Sequence, residues 1–236
     1  KLFWDASAES LGIGTSSPSS ILTVKSPDNT LATNIAQFES QNGNAGLKFG
    51  YQRIEQIGAT VPITFETGGS ERLRISSDGS LSTPTLGTSN VRFGVNAGNS
   101  IVSGGNYNVV VGDEAGTAIT TGDNNVAVGY GSLTANTTGS NNTALGYNVL
   151  SGNTTGQFNI GIGGNDATNL STLANNTTGS SNVAVGMAAL LNNSTASNNT
   201  AVGYKSLRAN TTGIDNVAVG WSALTANTIG GDNVAV

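Results

Sequence analysis

Few residues of the sequence could perform acid–base or nucleophilic chemistry, and its acidic pairs are the first to consider. Asp113 and Glu114 are the only adjacent acidic pair, and a polysaccharide-cleaving enzyme needs two carboxylates that face one substrate. Neighbouring residues of a strand point to opposite faces, and this pair follows a glycine near an expected turn. We therefore predict a solvated turn. Glu66 and Glu71 flank a Gly-Gly turn and could approach one another, but the charged rim of a hairpin explains them equally well.

Composition excludes several other kinds of chemistry. The chain has no His and no Cys, which excludes Ser-His-Asp catalysis, disulfides and conventional zinc sites. Gly163-Gly164-Asn165-Asp166 is only a weak hint of a calcium-binding repeat, because such rolls carry an Asp every nine residues. The net charge of -5 argues against a nucleic-acid partner. No apolar run approaches the roughly 18 residues of a membrane span. We expect no enzyme activity, no cofactor, no metal and no membrane insertion.

Two groups of residues are candidates for receptor contact. Aromatic residues recur at one position of a repeat and could form a sugar-binding stripe, although a packed ladder is favoured because aromatics dominate packing energetics. An insertion near residues 168–174 interrupts the repeat, and insertions in such folds map to surface loops that often bind partners. The candidate contact residues are Tyr130, Tyr147, Tyr204 and Trp221 of the stripe, and Asn169, Ser171 and Thr172 of the insertion.

The element that must position these residues is an internal repeat. Asn125-Val126-Ala127-Val128-Gly129-Tyr130 recurs along the chain, and an Asn-Thr-Thr-Gly motif lies between successive copies. An anchor glycine marks each copy, with spacings of 18, 17, 17, 17, 23, 17 and 17 residues. The long step is an insertion of six residues. The anchors are Gly94, Gly112, Gly129, Gly146, Gly163, Gly186, Gly203 and Gly220.

A unit of 17 residues spans at most about 56 Å of extended chain, which is enough for one coil of a thin β-solenoid. We predict two short strands and two turns per coil, with Val126 and Val128 on one face of the strand and Ala127 on the other. Coils stacked about 4.8 Å apart would align identical residues in ladders, and stacked Asn side chains can bond one another. The 33 Gly and 30 Asn are then features of an ordered rod.

The column at Ala127 predicts how the rod assembles. Small residues on one strand face let another backbone come close. So thin a coil buries few side chains alone, and we expect these to be the two aliphatic residues of the strand and one Leu, such as Leu133. We therefore expect association with further copies, most simply around a threefold axis, although a stacked and capped monomeric solenoid is the alternative. The predicted assembly face comprises Ala127, Ala144, Gly161, Ala184, Ala201 and Ala218.

The remaining sequence predicts a second β-rich part. In residues 1–89 apolar residues alternate at Leu47, Phe49 and Tyr51, and again near residues 63–66 and 73–76, with Gly-rich turns between. We predict an all-β chain, with a short antiparallel β domain over 1–89 and a parallel solenoid of about eight coils over 90–236. The sequence begins at Lys1 and stops within a repeat, so we expect it to be a segment of a longer chain.

The repeat resembles the head repeats of trimeric autotransporter adhesins, which form a trimeric β-roll but use shorter units. The longer form with "AVGYxAL" and "NTTG" is still more similar to repeats in bacteriophage tail fibres. Two further segments resemble fibre motifs, namely residues 10–24 ("GIGT…P…L-x-V") and 69–79 ("ERLRI…G"). The resemblance implies a homotrimeric virion protein of the tail fibre that contacts other tail proteins and a host cell-surface receptor or glycan. A bacterial adhesin head is the alternative, and a polysaccharide depolymerase is a further one.

Overall fold

The computed structural model describes residues 2–6, 10–13, 22–24, 63–67, 70–75, 81–83, 87–164 and 170–236. The chain divides into two compact units, Lys1–Glu55 and Gln56–Val236. All regular secondary structure among the described residues is β-strand, which confirms the predicted all-β class. The boundary expected between residues 89 and 90 stays a prediction, and Leu47, Phe49 and Tyr51 lie outside the described residues.

The first unit contains a three-stranded mixed sheet. Its strands are β1 (Leu2–Asp5), β2 (Ser10–Ile13) and β3 (Leu22–Val24). β1 and β2 pair antiparallel, whereas β2 and β3 pair parallel. The expected antiparallel pairing is therefore present, with one parallel strand added by the segment that carries the first fibre-like motif.

The second unit begins with an antiparallel sheet of β4 (Ile63–Thr67), β5 (Ser70–Ile75) and β6 (Leu81–Ser82). Thr67 pairs with Ser70, which confirms the hairpin predicted around the Gly-Gly turn. Glu66 lies opposite Glu71. The Glu71 carboxylate accepts two hydrogen bonds from the Arg74 guanidinium, at 2.8 and 2.6 Å. The charged hairpin rim thus includes a bidentate ion pair.

This ion pair predicts a measurable acid titration. The hydrogen bond from Arg74 lowers the pKa of Glu71. A carboxyl group whose pKa is lowered on folding adds stability above its unfolded pKa, and that stability is lost as the pH falls through the folded value. Because the pair is partly exposed to solvent, the effect on stability is small. In an NMR titration Glu71 should protonate below the ordinary Glu range, and Arg74→Gln should return it to that range. An ordinary pKa in the native chain would contradict the pairing.

The rest of the second unit is a parallel β-solenoid. Nine strands form one sheet in chain order, and every neighbouring pair is parallel and in register, as Ala127 opposite Ala144 shows. The 17-residue solenoid is therefore confirmed. Its strands are β7 (Val91–Phe93), β8 (Val109–Val111), β9 (Val126–Val128), β10 (Thr143–Leu145), β11 (Ile160–Ile162), β12 (Val183–Val185), β13 (Thr200–Val202), β14 (Val217–Val219) and β15 (Val234–Ala235).

Each described coil has one strand rather than the two predicted. After β9 the anchor Gly129 bends the chain with φ +122°, a conformation that only glycine adopts readily. Leu133 then takes a left-handed conformation with φ 51°. The turns also hydrogen-bond to the next coil, for example from Leu133 N to the Val149 carbonyl at 3.0 Å. The whole circumference of the coil is therefore tied to its neighbour, which explains why one three-residue strand suffices.

The interior of the coils contains the middle residue of each strand. Ala127 and Ala184 are 0 % exposed, whereas Val126 and Val128 lie on the outside of the sheet. The predicted orientation of the strand is wrong, and so is the assembly face, because these small residues pack within one chain. Gly161 shows how tight the interior is, since a Cβ there would lie 2.5 Å from Val149 Cγ1. The residues whose predicted location is corrected, from an assembly face to the interior of the coil, are Ala127, Ala144, Gly161, Ala184, Ala201 and Ala218.

A first asparagine ladder runs through the residue before each strand. The Asn142 side-chain amide donates to Asn125 Oδ1 at 3.2 Å and to the Gly156 carbonyl at 2.8 Å. Its backbone N–H also donates to Asn125 Oδ1, at 3.0 Å. The same pattern recurs along the stack at Asn108, Asn125, Asn142, Asn159, Asn182, Asn199 and Asn216. The predicted asparagine stacking is confirmed.

A second asparagine ladder opens the Asn-Thr-Thr-Gly turns. Asn153 Nδ2 donates to Asn136 Oδ1 at 2.8 Å and to the Gly156 carbonyl at 3.0 Å. Both ladders therefore converge on the same carbonyl in six successive coils, from Gly139 to Gly230. Because buried amides are costly unless they are bonded, this sharing allows two polar side chains per coil in a thin core. The apolar part of that core is a small residue, one Leu and, in some coils, a further residue such as Val149 or Ala189. The ladder is Asn136, Asn153, Asn176, Asn193, Asn210 and Asn227.

Candidate binding surface

The aromatic stripe is stacked and exposed. Tyr130 and Tyr147 have ring centroids 5.1 Å apart at 20° and are 50 % and 46 % exposed. Tyr204 and Trp221 stack at 6.1 Å and 24°, and Lys205 Nζ lies 4.8 Å from the Tyr204 centroid. Each ring follows an anchor glycine, which turns the chain outward at the edge of the sheet. The favoured interpretation as a packed ladder agrees with this stacking, and receptor contact by these rings stays a prediction.

The regular coil resumes inside the segment predicted as the insertion, residues 168–174. Leu150 N donates to the Thr172 carbonyl at 3.1 Å, as Leu133 N does to the Val149 carbonyl, so the regular coil has resumed by Thr172. The six extra residues are therefore added between Gly163 and Thr172. Ser171 and Thr172 are 2 % and 0 % exposed, and Thr172 Oγ1 donates to the Gly186 carbonyl. Their predicted receptor contact is wrong because both are buried, and Asn169 lies outside the described residues.

The adjacent carboxylates are occupied by structural contacts. Asp113 Oδ1 accepts a hydrogen bond from Val95 N at 3.0 Å, and Glu114 Oε1 accepts one from Asn96 Nδ2 at 2.8 Å. Glu114 has φ 59°, which agrees with the predicted turn. Each carboxylate thus ties its coil to the preceding one rather than facing a shared substrate position.

Metal and membrane signals are absent from the described part of the chain. No group of three or more His, Cys, Asp or Glu is placed there to hold a metal ion. Nor does that part contain a helix long and apolar enough for a membrane span. Asn165 and Asp166, which gave the weak indication of a calcium-binding repeat, lie outside the residues that the structure describes.

A polar cavity lies where the β5–β6 sheet meets the first coil. It has a volume of about 270 Å³ and is lined by Glu71, Arg72, Thr83, Arg92, Gly94 and Ala97. Arg92 Nε donates to the Ala97 carbonyl at 2.5 Å, and burial lowers the pKa of this guanidinium. Its backbone N–H donates to Thr83 Oγ1 at 3.2 Å. These contacts give Arg92 a structural role at the start of the solenoid.

A continuous apolar feature of the solenoid is the outer sheet face, which we define as the first and third residues of strands β7 to β14. Phe93 is 50 % exposed, Val128 36 %, Ile160 39 % and Ile162 38 %. Sequence reasoning placed these residues inside the coil. The leucines that recur at the position of Leu133 could have corrected this placement, because one Leu and two Asn side chains already fill so thin a coil.

Comparisons with known proteins add no family to this description. The chain matches no protein-family model, no curated protein and no solved structure.

Proposed function

We propose that this chain is a segment of a homotrimeric bacteriophage tail fibre that serves host recognition and adhesion. The observation that carries the proposal is the pair of continuous asparagine ladders along the solenoid. Two buried side-chain amides per coil, bonded from one coil to the next, make a rod that resists bending and local opening. Such a rod suits a protein whose work is to transmit force and to hold a binding surface away from a particle.

The exposed surface supports adhesion by repetition. Exposed positions recur at every coil, about 4.8 Å apart, and three parallel copies would triple each of them. Many weak contacts of this kind give avid attachment, because the second and later contacts are intramolecular. The stacked pairs Tyr130–Tyr147 and Tyr204–Trp221 are the candidate receptor contacts, since aromatic rings supply large contact areas.

The location of the chain tests the tail-fibre assignment. Antibodies against the solenoid should label the tails of virions in the culture that produces the protein, as seen by immunogold electron microscopy. Label on bacterial cell surfaces without virions would contradict the fibre proposal and assign the chain to an adhesin head.

A binding assay tests the adhesive function. The fluorescently labelled chain should bind saturably to cells of some bacterial strains, and unlabelled chain should compete. Tyr130→Ala/Tyr147→Ala should weaken this binding on the order of 10-fold if the stacked rings contact the receptor, by analogy with exposed aromatic anchors elsewhere. Absence of binding to every strain of a broad panel would contradict adhesion. Release of reducing ends from the cell polysaccharide would instead indicate a depolymerase.

A further inference from the structure

The outer sheet face has the composition of an interface rather than of a free surface. Fourteen of its sixteen positions are Val, Ile, Leu or Phe and the other two are Thr143 and Thr200, so none is charged. The eight three-residue strands β7 to β14, stacked about 4.8 Å apart, present roughly 400 Å² of flat apolar surface. A patch of this size is in the range of the largest apolar patches on soluble proteins, which are often functional.

A mostly polar rim borders this face. The residue two positions before each strand is exposed and has a left-handed backbone, with φ near 60°. It is polar at Asn124, Asn141, Ser181, Asn198 and Asp215, and aromatic at Tyr107 and Phe158. An apolar centre beside a polar rim is the usual anatomy of a protein–protein interface. The charged residues of the solenoid, such as Asp215, thus lie outside the apolar face.

The periodicity of the face indicates the occupant. Its rows repeat at the spacing of one strand, about 4.8 Å, and a second copy of this chain presents rows at the same spacing. Two copies with parallel axes can match every row over the whole length of the solenoid. A partner of unrelated fold could match a few rows only, and a charged partner would find no charge to pair with.

We propose that copies of this chain associate through the outer sheet face, with their coil axes parallel and equal coils at equal heights. This inference rests on the proposed homotrimeric fibre and names the surface that holds it together. Each coil adds only about 50 Å² of contact per chain, so the strength of association is the sum over coils. The repetition also explains why the face contains no charge. A charged residue at one position of the repeat would place like charges side by side at every coil.

A matched pair of lysine substitutions within one coil tests the face. Val128→Lys places a charge on the outer sheet face, and Thr138→Lys places the same charge on the exposed turn of that coil. By sedimentation equilibrium, Val128→Lys should weaken association about 30-fold or more, while Thr138→Lys should match the wild-type chain. Circular dichroism checks that both variants fold, and Val128→Thr, which keeps the side-chain shape, serves if Val128→Lys unfolds. Full association of a folded Val128→Lys chain would overturn the proposal.

Mixed variants test the register. Val128→Glu and Val128→Lys chains should each associate poorly alone, and an equimolar mixture should recover association because the two charges meet at one height. Val128→Glu mixed with Val202→Lys, whose charges lie four coils apart, should recover little. Equal recovery in both mixtures would overturn the register. A wild-type chain that is monomeric would refute the trimer itself, whereas an associated wild type with unaffected variants would refute the face alone.

Discussion

Asn142→Asp should lower the free energy of unfolding by at least about 3 kcal/mol, since burying an unpaired polar or charged group costs that much or more. Asp has the shape of Asn but lacks its N–H donors. At neutral pH the new oxygen would face Asn125 Oδ1 and the Gly156 carbonyl, which now accept hydrogen bonds at 3.2 and 2.8 Å. The site is 0 % exposed, so water cannot replace the lost donors.

The matched control is Asn175→Asp. Asn175 is exposed and makes one side-chain hydrogen bond, to Asn192 Oδ1 at 3.2 Å. We therefore expect its substitution to lower the free energy of unfolding by less than about 0.5 kcal/mol. Urea unfolding followed by circular dichroism measures both variants. In a stack where each coil contacts only its neighbours, a defect at Asn142 also separates the coils on either side of it, and two transitions in place of one would report this. Equal losses for the two variants would show that the ladder does not stabilise the rod.

Gly129→Ala should be the second most damaging change. We expect it to lower the free energy of unfolding by about 3 kcal/mol or more, through backbone strain and steric collision together. Gly129 has φ +122°, which side chains rarely tolerate. A Cβ there would also strike the backbone of the next coil at Gly146, with its carbonyl carbon only 2.7 Å away. The coils would have to separate locally to admit one methyl group.

Gly164→Ala provides the control for this change. Among the residues that the structure describes, and apart from its chain neighbours, no atom lies within 4 Å of a Cβ built at Gly164. This residue follows Gly163, the last anchor before the insertion. Thermal unfolding should show a large decrease in melting temperature for Gly129→Ala and almost none for Gly164→Ala. Similar melting temperatures for both would mean that the anchor glycines are not required by close stacking.

The sequence predicts the period, the parallel stack and the asparagine ladders because each depends on spacing alone. A 17-residue step at Gly112, Gly129 and Gly146 fixes which residues align, whatever the cross-section of the coil. Alignment then places Asn125 beside Asn142, and buried amides must find partners. These features follow without knowledge of which way the strand faces.

The direction of the strand could not be predicted from alternation. A period of two says that Val126 and Val128 share a face, but not that this face lies inside. The choice depends on the space left by the rest of the coil, and Leu133 with the two asparagines leaves room only for a small residue at position 127. The preceding coil has Gly116 at the Leu position, and there the same column buries Val110. Burying the larger residues is the usual rule, and it fails here because the coil is too thin to hold them.

The position of the insertion depends on a similar competition. Asn169, Ser171 and Thr172 are polar and follow Gly163, the last anchor glycine before the insertion, so their sequence resembles that of a surface loop. The structure instead seats Leu173 in the Leu column, where it is 0 % exposed, and this draws Ser171 and Thr172 into the coil. The column of leucines, counted at 17 plus 6 residues, was the signal that could have placed the insertion correctly.

The mass of the wild-type chain in solution tests most directly the claim that this solenoid is a unit of a homotrimeric fibre. Sedimentation equilibrium at several micromolar concentrations gives that mass independently of molecular shape. We predict a species of three times the chain mass of 23.6 kDa, in reversible exchange with the monomer at the lowest concentrations. A single species of 23.6 kDa at every concentration would contradict the claim.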